Sequence, residues 1–295
     1  MHYLITGGSG FIGSALCRSL AADGQRITVL TRDIARARKR VPGAVFLIDR
    51  LDFAQDVDAV VNLAGENLAS GRWSAARKRE FLASRIGTTK RLLDWIERQG
   101  RAPAVLVSGS AVGWYGPRGD EELDEAAGIG ADFSAHLCRD WEAEARKAEA
   151  FGVRVCLLRT GIVLDSDGGA LKQMLLPFRF GVGGPMGSGR QWMSWIARAD
   201  LVALIRWLVD NGSASGAYNG TAPAPVTNTE FARTLGRALH RPTLLRTPGF
   251  ALRLLFGEMA DLLLTGQRVV PARATAGGFT FRQAELADAL AAILA

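Results

Sequence analysis

Short apolar runs alternate with longer segments of helical periodicity along the first half of the chain. The apolar runs cover residues 3–6, 27–31, 44–48, 59–63, 104–108 and 153–158. Helical periodicity covers residues 11–23, 78–99 and 132–151. Because runs of strand length alternate with helices, the pattern predicts an α/β fold in which a doubly wound parallel sheet is covered by helices on both faces. Ligands of such a sheet bind at the carboxyl ends of its strands.

A glycine-rich segment follows the first strand and opens the first helix. It reads GGSGFIG, in the order of strand, turn and helix that a Rossmann-type dinucleotide site requires. Gly7 suits a tight turn, Gly10 a close approach of the backbone to a pyrophosphate, and Gly13 the packing of helix on strand. The free N–H groups at the start of the helix, where Phe11 and Ile12 lie, would stabilise the phosphates. These five residues are therefore predicted to bind a dinucleotide.

The end of the second strand bears on which dinucleotide binds. It carries Thr31 and Arg32, where an enzyme that uses NAD usually has a carboxylate for the ribose 2′-hydroxyl. A carboxylate would repel a 2′-phosphate, whereas Arg32 can bind one through charge-assisted hydrogen bonds. Thr31 and Arg32 thus favour NADP as the cofactor. The alternative is that Arg32 is a solvated surface residue and that Asp33 faces the ribose.

Composition argues against several other classes of protein. The 295 residues are 48% hydrophobic and 22% charged, so a sizeable core is expected. The net charge of +7 comes mainly from dispersed arginines, which indicates an anionic cofactor or compositional bias and predicts no nucleic-acid partner. No apolar run could cross a bilayer and no leader is visible, so no membrane partner and a cytoplasmic location are expected. The three cysteines lack ligand spacing, and no metal site is predicted.

The spacing G-x-x-G-x-x-G resembles that of the extended short-chain dehydrogenase/reductase superfamily. Val60–Gly65 is similar to the superfamily's N-x-A-G element beside the adenine ribose. Val105–Ser110 resembles the strand that brings a serine to the nicotinamide, and Arg159–Val163 resembles the R-x-G-x-V strand beneath that ring.

A more specific resemblance covers essentially the whole chain. It is to an atypical subfamily called the epimerase family proteins or nucleoside-diphosphate-sugar epimerases. The matching segments are NLAGEN at 62–67, LPFR at 176–179, GGPMGSG at 183–189 and Trp195-Ile196. The later segments GQRVVP and GFTF, which begin at Gly266 and Gly278, are similar to the subfamily's C-terminal domain of unknown function. The resemblance implies NADP(H) binding and leaves the substrate undefined.

The resemblance also implies further contacts with the cofactor. The residues concerned are Leu63, Ala64 and Gly65 beside the adenine ribose, Glu80 and Arg85 along the cofactor, and Val163 on the nicotinamide side. Periodicity places Glu80 and Arg85 near the start of a helix, where both charges could equally face water.

The catalytic pair of the superfamily is missing. Active members use a tyrosine as general acid/base, and a lysine four residues later lowers the pKa of that tyrosine. Glu142 matches the acidic residue usually found one turn after the lysine. Counting back from it, Ser134 stands at the tyrosine position and Cys138 at the lysine position.

Ser110 and Tyr115 are the remaining catalytic candidates. Ser110 is a hydroxyl group at the end of a strand, but a serine cannot replace the tyrosine without an activating base. Tyr115 is the nearest phenol and could supply a proton, or it could pack beneath the substrate pocket. His136 or Arg139 could supply positive charge from the helix.

Two functions are compatible with these residues. The first is an NADP(H)-dependent oxidoreductase or epimerase that acts on a small molecule, including a nucleotide-linked one, through an unusual acid/base group. The second is a non-enzymatic NADP(H) sensor that acts through a protein partner. Superfamily members often dimerise through a helix pair, so a homodimer is also compatible with the sequence.

Glycine and proline become frequent after about residue 165, which predicts three regions. Residues 1–165 form an NADP-binding Rossmann domain whose sheet is completed by later segments. Residues 166–240 form a smaller C-terminal substrate-side lobe, and residues 241–295 form a helical C-terminal domain.

Several residues of the later half carry separate expectations. Arg190 and Trp192 follow a glycine-rich loop and suit an anionic or ring-bearing ligand, although Trp192 and Trp195 could instead be core anchors. Asp200 is predicted to cap a helix that starts at Leu201. The acidic residues 120–125 are predicted to be solvated charges.

Overall fold

The computed structural model describes residues 1–295. Its strands are β1 (His2–Thr6), β2 (Arg26–Leu30), β3 (Phe46–Ile48), β4 (Ala59–Asn62), β5 (Val105–Ala111), β6 (Glu122–Leu123), β7 (Arg154–Thr160), β8 (Ile162–Asp165), β9 (Trp192–Met193), β10 (Trp195–Ala197), β11 (Gly216–Gly220), β12 (Val226–Thr227) and β13 (Arg268–Val269). Its α-helices are α1 (Phe11–Ala22), α2 (Ile34–Arg38), α3 (Ala75–Leu82), α4 (Thr88–Glu97), α5 (Phe133–Arg146), α6 (Gly169–Arg179), α7 (Arg198–Asp210), α8 (Asn228–Ala238), α9 (Gly249–Phe256), α10 (Asp261–Leu264), α11 (Ala272–Ala276) and α12 (Leu286–Leu294).

Seven parallel strands form the central sheet in the order β3-β2-β1-β4-β5-β7-β11. The strand order reverses between β1 and β4, which is where a doubly wound sheet opens a crevice for a ligand. Thr6, the last residue of β1, pairs with Leu30 of β2 and with Asn62 of β4. The strands therefore end at one level, and the residues that follow them collect at the same edge of the sheet. The predicted Rossmann-type fold is confirmed.

Helices cover both faces of this sheet. On one face, α1 and α7 bury Leu16, Leu20 and Leu204 against the strands. On the other face, α4 and α5 bury residues that include Trp95 and Ala145. Each large aliphatic side chain buried in this way contributes about 1.5–3 kcal/mol. The apolar spacing of three and four residues along each helix thus accounts for the layered arrangement.

The predicted helix over 78–99 is interrupted. The α-helix α3 ends at Leu82, a π-helical turn covers Ala83–Gly87, and α4 continues from Thr88. A π turn widens the helix by one residue and is frequent at functional sites. Sequence periodicity cannot reveal it, because the apolar stripe continues on both sides. The turn carries Arg85, which was predicted to contact the cofactor.

Strand β5 is longer than predicted. The apolar run predicted a strand that ends at residue 108, but the ladder with β7 continues to the pair Ala111 and Thr160. Ser110 therefore lies within the strand, one residue before its end.

Later segments of the chain complete the central sheet. Helix α7 and strand β11 lie within the residues assigned to the substrate-side lobe, yet both pack on the sheet. Around them, α6, α8 and α12 share a separate core that includes Phe178, Phe231 and Leu290. Helix α8 begins with a capping box made by Thr227 and Glu230. No helix combines the length and the apolar character needed to cross a membrane.

The predicted role of Asp200 as a helix cap is wrong. Helix α7 begins three residues earlier than predicted, at Arg198, and no side chain caps it. The fully buried carboxylate of Asp200 instead accepts the backbone N–H groups of Arg282 and Gln283, at 3.1 and 2.9 Å. It thereby ties the tail of the chain to the nucleotide half. The cap prediction failed because the partner lies more than 80 residues away.

Candidate functional site

The glycine turn between β1 and α1 has the geometry that its sequence predicts. Gly7 has φ +68°, a left-handed conformation that favours glycine. A methyl group on Gly13 would stand 2.3 Å from the carbonyl oxygen of Gly7, so only glycine allows this close packing of helix on turn. A methyl group on Gly10 would meet nothing except that same oxygen, at 3.0 Å. The space beside Gly10 is therefore open to a ligand.

The start of α1 offers its N–H groups to this space. Gly10 occupies the cap position without a side-chain hydrogen bond, and the first turn has no acidic residue. Phe11 packs against the turn at Gly168, and the guanidinium of Arg198 lies 4.8 Å from its ring. Ile12 packs against the core. An uncapped helix start with this orientation suits a phosphate group.

The end of β2 presents unpaired positive charge. Arg32 and Arg36 are exposed, and the guanidinium of neither lies within 4.0 Å of a carboxylate. Asp33 caps α2, because its Oδ1 accepts the N–H of Arg36 at 2.9 Å. The Thr31 hydroxyl contacts the backbone of Asp33. The carboxylate that could have faced a ribose is therefore engaged in a local turn, and Arg32 is free.

A buried amide holds the loop after β4 in place. Asn62 is fully buried; its Oδ1 accepts the Thr6 hydroxyl at 2.6 Å, and its Nδ2 donates to the Thr89 hydroxyl at 2.9 Å. The Thr6 hydroxyl oxygen also accepts the N–H of Ala64 at 3.2 Å. This network joins β1, β4 and α4, and it orients Leu63, Ala64 and Gly65 along the crevice edge.

Arg85 lies beneath this loop without a carboxylate partner. Its Nη2 donates to Glu66 O at 3.0 Å and its Nη1 donates to Phe81 O at 3.3 Å, while its guanidinium lies 5.3 Å from the Trp141 ring. A methyl group on Gly65 would stand 3.0 Å from the guanidinium carbon. Burial lowers the pKa of Arg85, and a largely buried cation without a counterion is unfavourable unless a ligand accepts its remaining hydrogen bonds.

The contacts of Glu80 and Val163 are with other residues of the protein. The Glu80 carboxylate pairs with Arg77 Nη1 at 2.7 Å and its side chain is 57% exposed. Val163, on β8, is half-buried and pairs with Ile196 of β10. Contacts of Glu80 and Val163 with a cofactor stay predictions.

The hydroxyl of Ser110 is held by a buried carboxylate. Ser110 Oγ donates to Glu142 Oε1 at 2.7 Å. Arg159 binds the same carboxylate through two bonds, Nε to Oε1 at 2.8 Å and Nη2 to Oε2 at 3.0 Å. Burial alone would lower the pKa of Arg159, but the hydrogen bonds and the charge of Glu142 outweigh it and raise that pKa. Ser110 thus has a carboxylate beside it, although one that is neutralised by an arginine.

Tyr115 belongs to the same buried network. Its ring is fully buried, its hydroxyl donates to Asn219 Oδ1 at 2.7 Å, and it accepts Arg159 Nη1 at 3.1 Å. Burial raises the pKa of Tyr115. Both hydrogen-bonding directions of the phenol are occupied by protein, which favours the packing alternative over the proton-donor role.

Helix α5 is the element on which the sequence predicts the tyrosine–lysine pair to be missing. It contains neither tyrosine nor lysine between residues 133 and 146. Cys138 at the lysine position donates to Ala111 O at 3.6 Å, and burial raises the pKa of its thiol to about 11. Ser134 lies against Gly113. No group of three or more histidine, cysteine or acidic side chains is placed to hold a metal ion.

Trp195 and Trp192, the two tryptophans after the glycine-rich loop, differ in burial. Trp195 is fully buried and donates to Ala224 O at 2.9 Å, so it is a core anchor. Trp192 is half-buried, its Nε1 donates to Asp120 at 2.7 Å, and the guanidinium of Arg268 lies 5.0 Å from its ring. Arg190 is exposed and has no carboxylate partner.

The prediction that the acidic stretch is only solvated is wrong for Glu125. Its two carboxylate oxygens accept the backbone N–H groups of Asn219 at 2.9 Å and Arg273 at 3.1 Å. Glu125 therefore links the sheet edge to the tail of the chain. The sequence contained no signal for these contacts, because both partners are distant in the chain.

Glu142 is the site residue that sequence reasoning missed. In the sequence, Glu142 was used only to locate the tyrosine and lysine positions of the superfamily. In the structure it is the hydrogen-bond partner of both Ser110 and Arg159. An available signal was the arginine within an otherwise apolar strand, since a buried cation requires a buried acid.

A parallel sheet with a glycine turn at β1, an uncapped α1 and a crevice between β1 and β4 defines a Rossmann-fold protein of the short-chain dehydrogenase/reductase class. The chain belongs to the NAD dependent epimerase/dehydratase family, whose model matches residues 3–219. A domain of unknown function, DUF1731, matches residues 247–293. The resemblance inferred from the motifs is thereby confirmed.

Similar proteins extend over the whole chain. An Arabidopsis thaliana protein named "Epimerase family protein SDR39U1 homolog, chloroplastic" is 44% identical over 303 residues, covering 100% of this chain and 87% of that protein. The Mycobacterium tuberculosis epimerase family protein MT2273 is 43% identical over 291 residues, covering 97% of this chain and 95% of that one.

Solved structures agree with these relatives. The human epimerase family protein SDR39U1, crystallised with NADPH, superimposes with a TM-score of 0.92 at 38% identity and covers 99% of both chains. A Corynebacterium glutamicum nucleoside-diphosphate sugar epimerase gives a TM-score of 0.80 at 31% identity, over 100% of this chain and 58% of that one. A Thermus thermophilus UDP-glucose 4-epimerase, at 19% identity and a TM-score of 0.81, shares the fold.

Proposed function

We propose that this chain binds NADP(H) in preference to NAD(H), with Arg32 as the ligand of the 2′-phosphate. The observation that carries the proposal is the pairing at the end of β2: Arg32 has no carboxylate partner, whereas Asp33 is engaged as a helix cap. A free cation beside an engaged acid favours a 2′-phosphate over a 2′-hydroxyl. The NADPH in the structure of the similar human protein supports the same choice.

The remaining cofactor contacts follow the crevice. The open space at Gly10 and the N–H groups of Phe11 and Ile12 fit a pyrophosphate. Arg85, which lacks a counterion, would donate to the cofactor from beneath Gly65. When bound, NADPH supplies a hydride that a carbonyl substrate accepts.

For the reaction, we propose an oxidoreductase or epimerase that acts on a small molecule. Family membership and the exposed Arg190 beside Trp192 support a substrate site next to the cofactor. Ser110 would orient the substrate, with its proton held by Glu142. A second candidate, an NADP(H) sensor without turnover, is favoured by one observation: the Tyr115 hydroxyl is buried and fully engaged.

Cofactor preference is tested by titrating the protein with NADPH and NADH and following ligand fluorescence. We expect tighter binding of NADPH, and Arg32→Ala should reduce that advantage by about tenfold or more, as loss of a charge-assisted hydrogen bond implies. Arg26→Ala is the matched control, because Arg26 is an exposed arginine at the opposite end of the same strand. Equal affinities of the intact protein for the two cofactors would refute the proposal.

Turnover separates the two candidates. NADPH oxidation is measured with a panel of carbonyl compounds and sugar nucleotides, and product epimers are analysed in parallel. The enzyme proposal predicts turnover that Ser110→Ala lowers while NADPH affinity is retained. Binding of NADPH without turnover across the panel would favour the sensor.

A further inference from the structure

One face of the C-terminal part of the chain exposes apolar side chains that no element covers. On α6 and the segment after it, Leu176, Phe180 and Val182 are 64%, 75% and 54% exposed. In the segment after α8, Leu244 is 88% exposed and Leu245 is 57% exposed. Single exposed apolar residues are ordinary, but several of them on adjoining segments indicate an interaction surface.

The two segments that carry these residues lie side by side. The N–H of Thr247 donates to Pro185 O at 2.9 Å. A methyl group on Gly184 would stand only 1.9 Å from the carbonyl oxygen of Leu245. We call the five side chains together the apolar surface.

Arginines without a carboxylate partner lie on and beside the segments that form the apolar surface. Those on the same two segments and on the adjoining end of α8 are Arg179, Arg233, Arg237, Arg241 and Arg246. None lies within 4.0 Å of a carboxylate. Arg241 Nε donates to Arg179 O at 2.9 Å, which places this charge directly at the end of α6.

Three of these arginines line a cavity. It has a volume of about 400 Å³, and no hydrophobic residue borders it. Arg233, Arg237, His240 and Arg241 are among its walls. A polar concavity with basic walls next to protruding apolar side chains offers separate places for anionic groups and for hydrocarbon.

We propose that the apolar surface and its arginines bind an anionic phospholipid bilayer from one side. Leu244 and Phe180 enter the boundary between headgroups and acyl chains, and the arginines contact lipid phosphates. Leu244 protrudes from its loop, whereas a peptide partner would need an apolar groove to receive its own anchors. A second copy of the chain is disfavoured, since a two-fold contact would bring the two sets of arginines together.

This mode of binding needs no spanning segment. The sequence predicts no membrane partner because no apolar run is long enough to cross a bilayer. The apolar surface is built from two segments about 60 residues apart in sequence. Each is too short to stand out in a search for long apolar runs. The proposal therefore concerns attachment to a membrane face and is independent of the cofactor proposal.

The test is co-sedimentation of the full chain with vesicles of phosphatidylcholine alone or with about 30% phosphatidylglycerol. We expect binding to the anionic vesicles and little to the neutral ones. Leu244→Glu should weaken binding by about tenfold or more. The double variant Arg237→Gln, Arg241→Gln should weaken it by about fivefold for each charge. Phe46→Glu is the matched control, since Phe46 is 60% exposed on β3, away from this surface, and should leave binding unchanged.

Three results would overturn the proposal. The first is no binding to anionic vesicles by a protein that still binds NADPH. The second is equal weakening by Leu244→Glu and Phe46→Glu, which would indicate nonspecific attraction. The third is a dimer in analytical ultracentrifugation that Leu244→Glu dissociates, with no vesicle binding, which would assign the surface to a second copy. Retained NADPH affinity in each variant checks that it is folded.

Discussion

Replacing Glu142 by glutamine should destabilise the protein strongly. The side chains of Glu142 and Arg159 are only 2% and 4% exposed, and they share two hydrogen bonds of 2.8 and 3.0 Å. Glutamine keeps the shape but leaves Arg159 charged, buried and uncompensated. Breaking a buried pair from one side costs about 3–5 kcal/mol. The free energy of unfolding of a domain is only about 5–15 kcal/mol, so this loss is a large fraction of it.

The assay is urea unfolding followed by tryptophan fluorescence, analysed for the free energy of unfolding. Glu149→Gln is the matched control, because Glu149 is 53% exposed and lies 3.8 Å from Arg146, and such surface pairs contribute at most about 1 kcal/mol. The double variant Glu142→Leu, Arg159→Met should recover much of the lost stability, since no charge remains buried. If Glu142→Gln cost no more than Glu149→Gln, the pair would not be the buried electrostatic unit described above.

Three further predictions concern the glycine turn, pH and the thiols. Gly13→Ala should abolish NADPH binding, because the new methyl group would stand 2.3 Å from Gly7 O, whereas Gly43→Ala, with no atom within 4 Å, should bind normally in the same titration. Burial lowers the pKa of His2 below 6.5, so stability present above that pH is lost as the pH falls towards the folded pKa; the thermal midpoint should drop less in His2→Gln. Burial raises the pKa of Cys17 to about 12, and all three cysteines are buried; a thiol reagent at mildly alkaline pH should therefore label none until urea unfolds the chain, and fast labelling of the native protein would contradict the packing.

Local chemistry made the nucleotide half predictable. The role of Gly13 depends on atoms of Gly7 and Gly8 within the same turn, so the seven-residue motif suffices to infer it, whereas Gly7 also lies against the backbone of Leu63. The parallel sheet follows from the alternation of apolar runs with amphipathic helices, since parallel neighbours need a crossover. The proposed preference for NADP likewise rests on Arg32 and Asp33, which are adjacent in sequence.

Long-range partners made the catalytic side unpredictable. Ser110 and Glu142 are 32 residues apart, and Tyr115 and Asn219 are 104 apart. Nothing in either segment shows that these side chains meet, because the contacts depend on how α5 and β11 pack on the sheet. Tyr115 was a reasonable proton donor by proximity in sequence, and its burial is a property of the folded chain alone.

The sequence does not predict the apolar surface, for a different reason. Helix α6 has ordinary amphipathic spacing, and its buried residues Leu171, Leu175 and Phe178 satisfy it. Leu176 and Phe180 lie outside that stripe, but only the structure shows that no neighbouring element covers them.

The contacts between the C-terminal segment and the rest of the chain constrain recombination within this family. Family models divide the chain into segments at 3–219 and 247–293, yet β13 pairs with β6, and Ser194 Oγ donates to Gln267 O at 2.6 Å. Asp200 closes the same junction through Arg282. A C-terminal segment transferred from a distant relative would carry one residue of each contact. It would then face a different residue at the partner position. We therefore expect the two segments to be inherited together, and chimeras made at their boundary to fold only when the junction residues are transferred as a set.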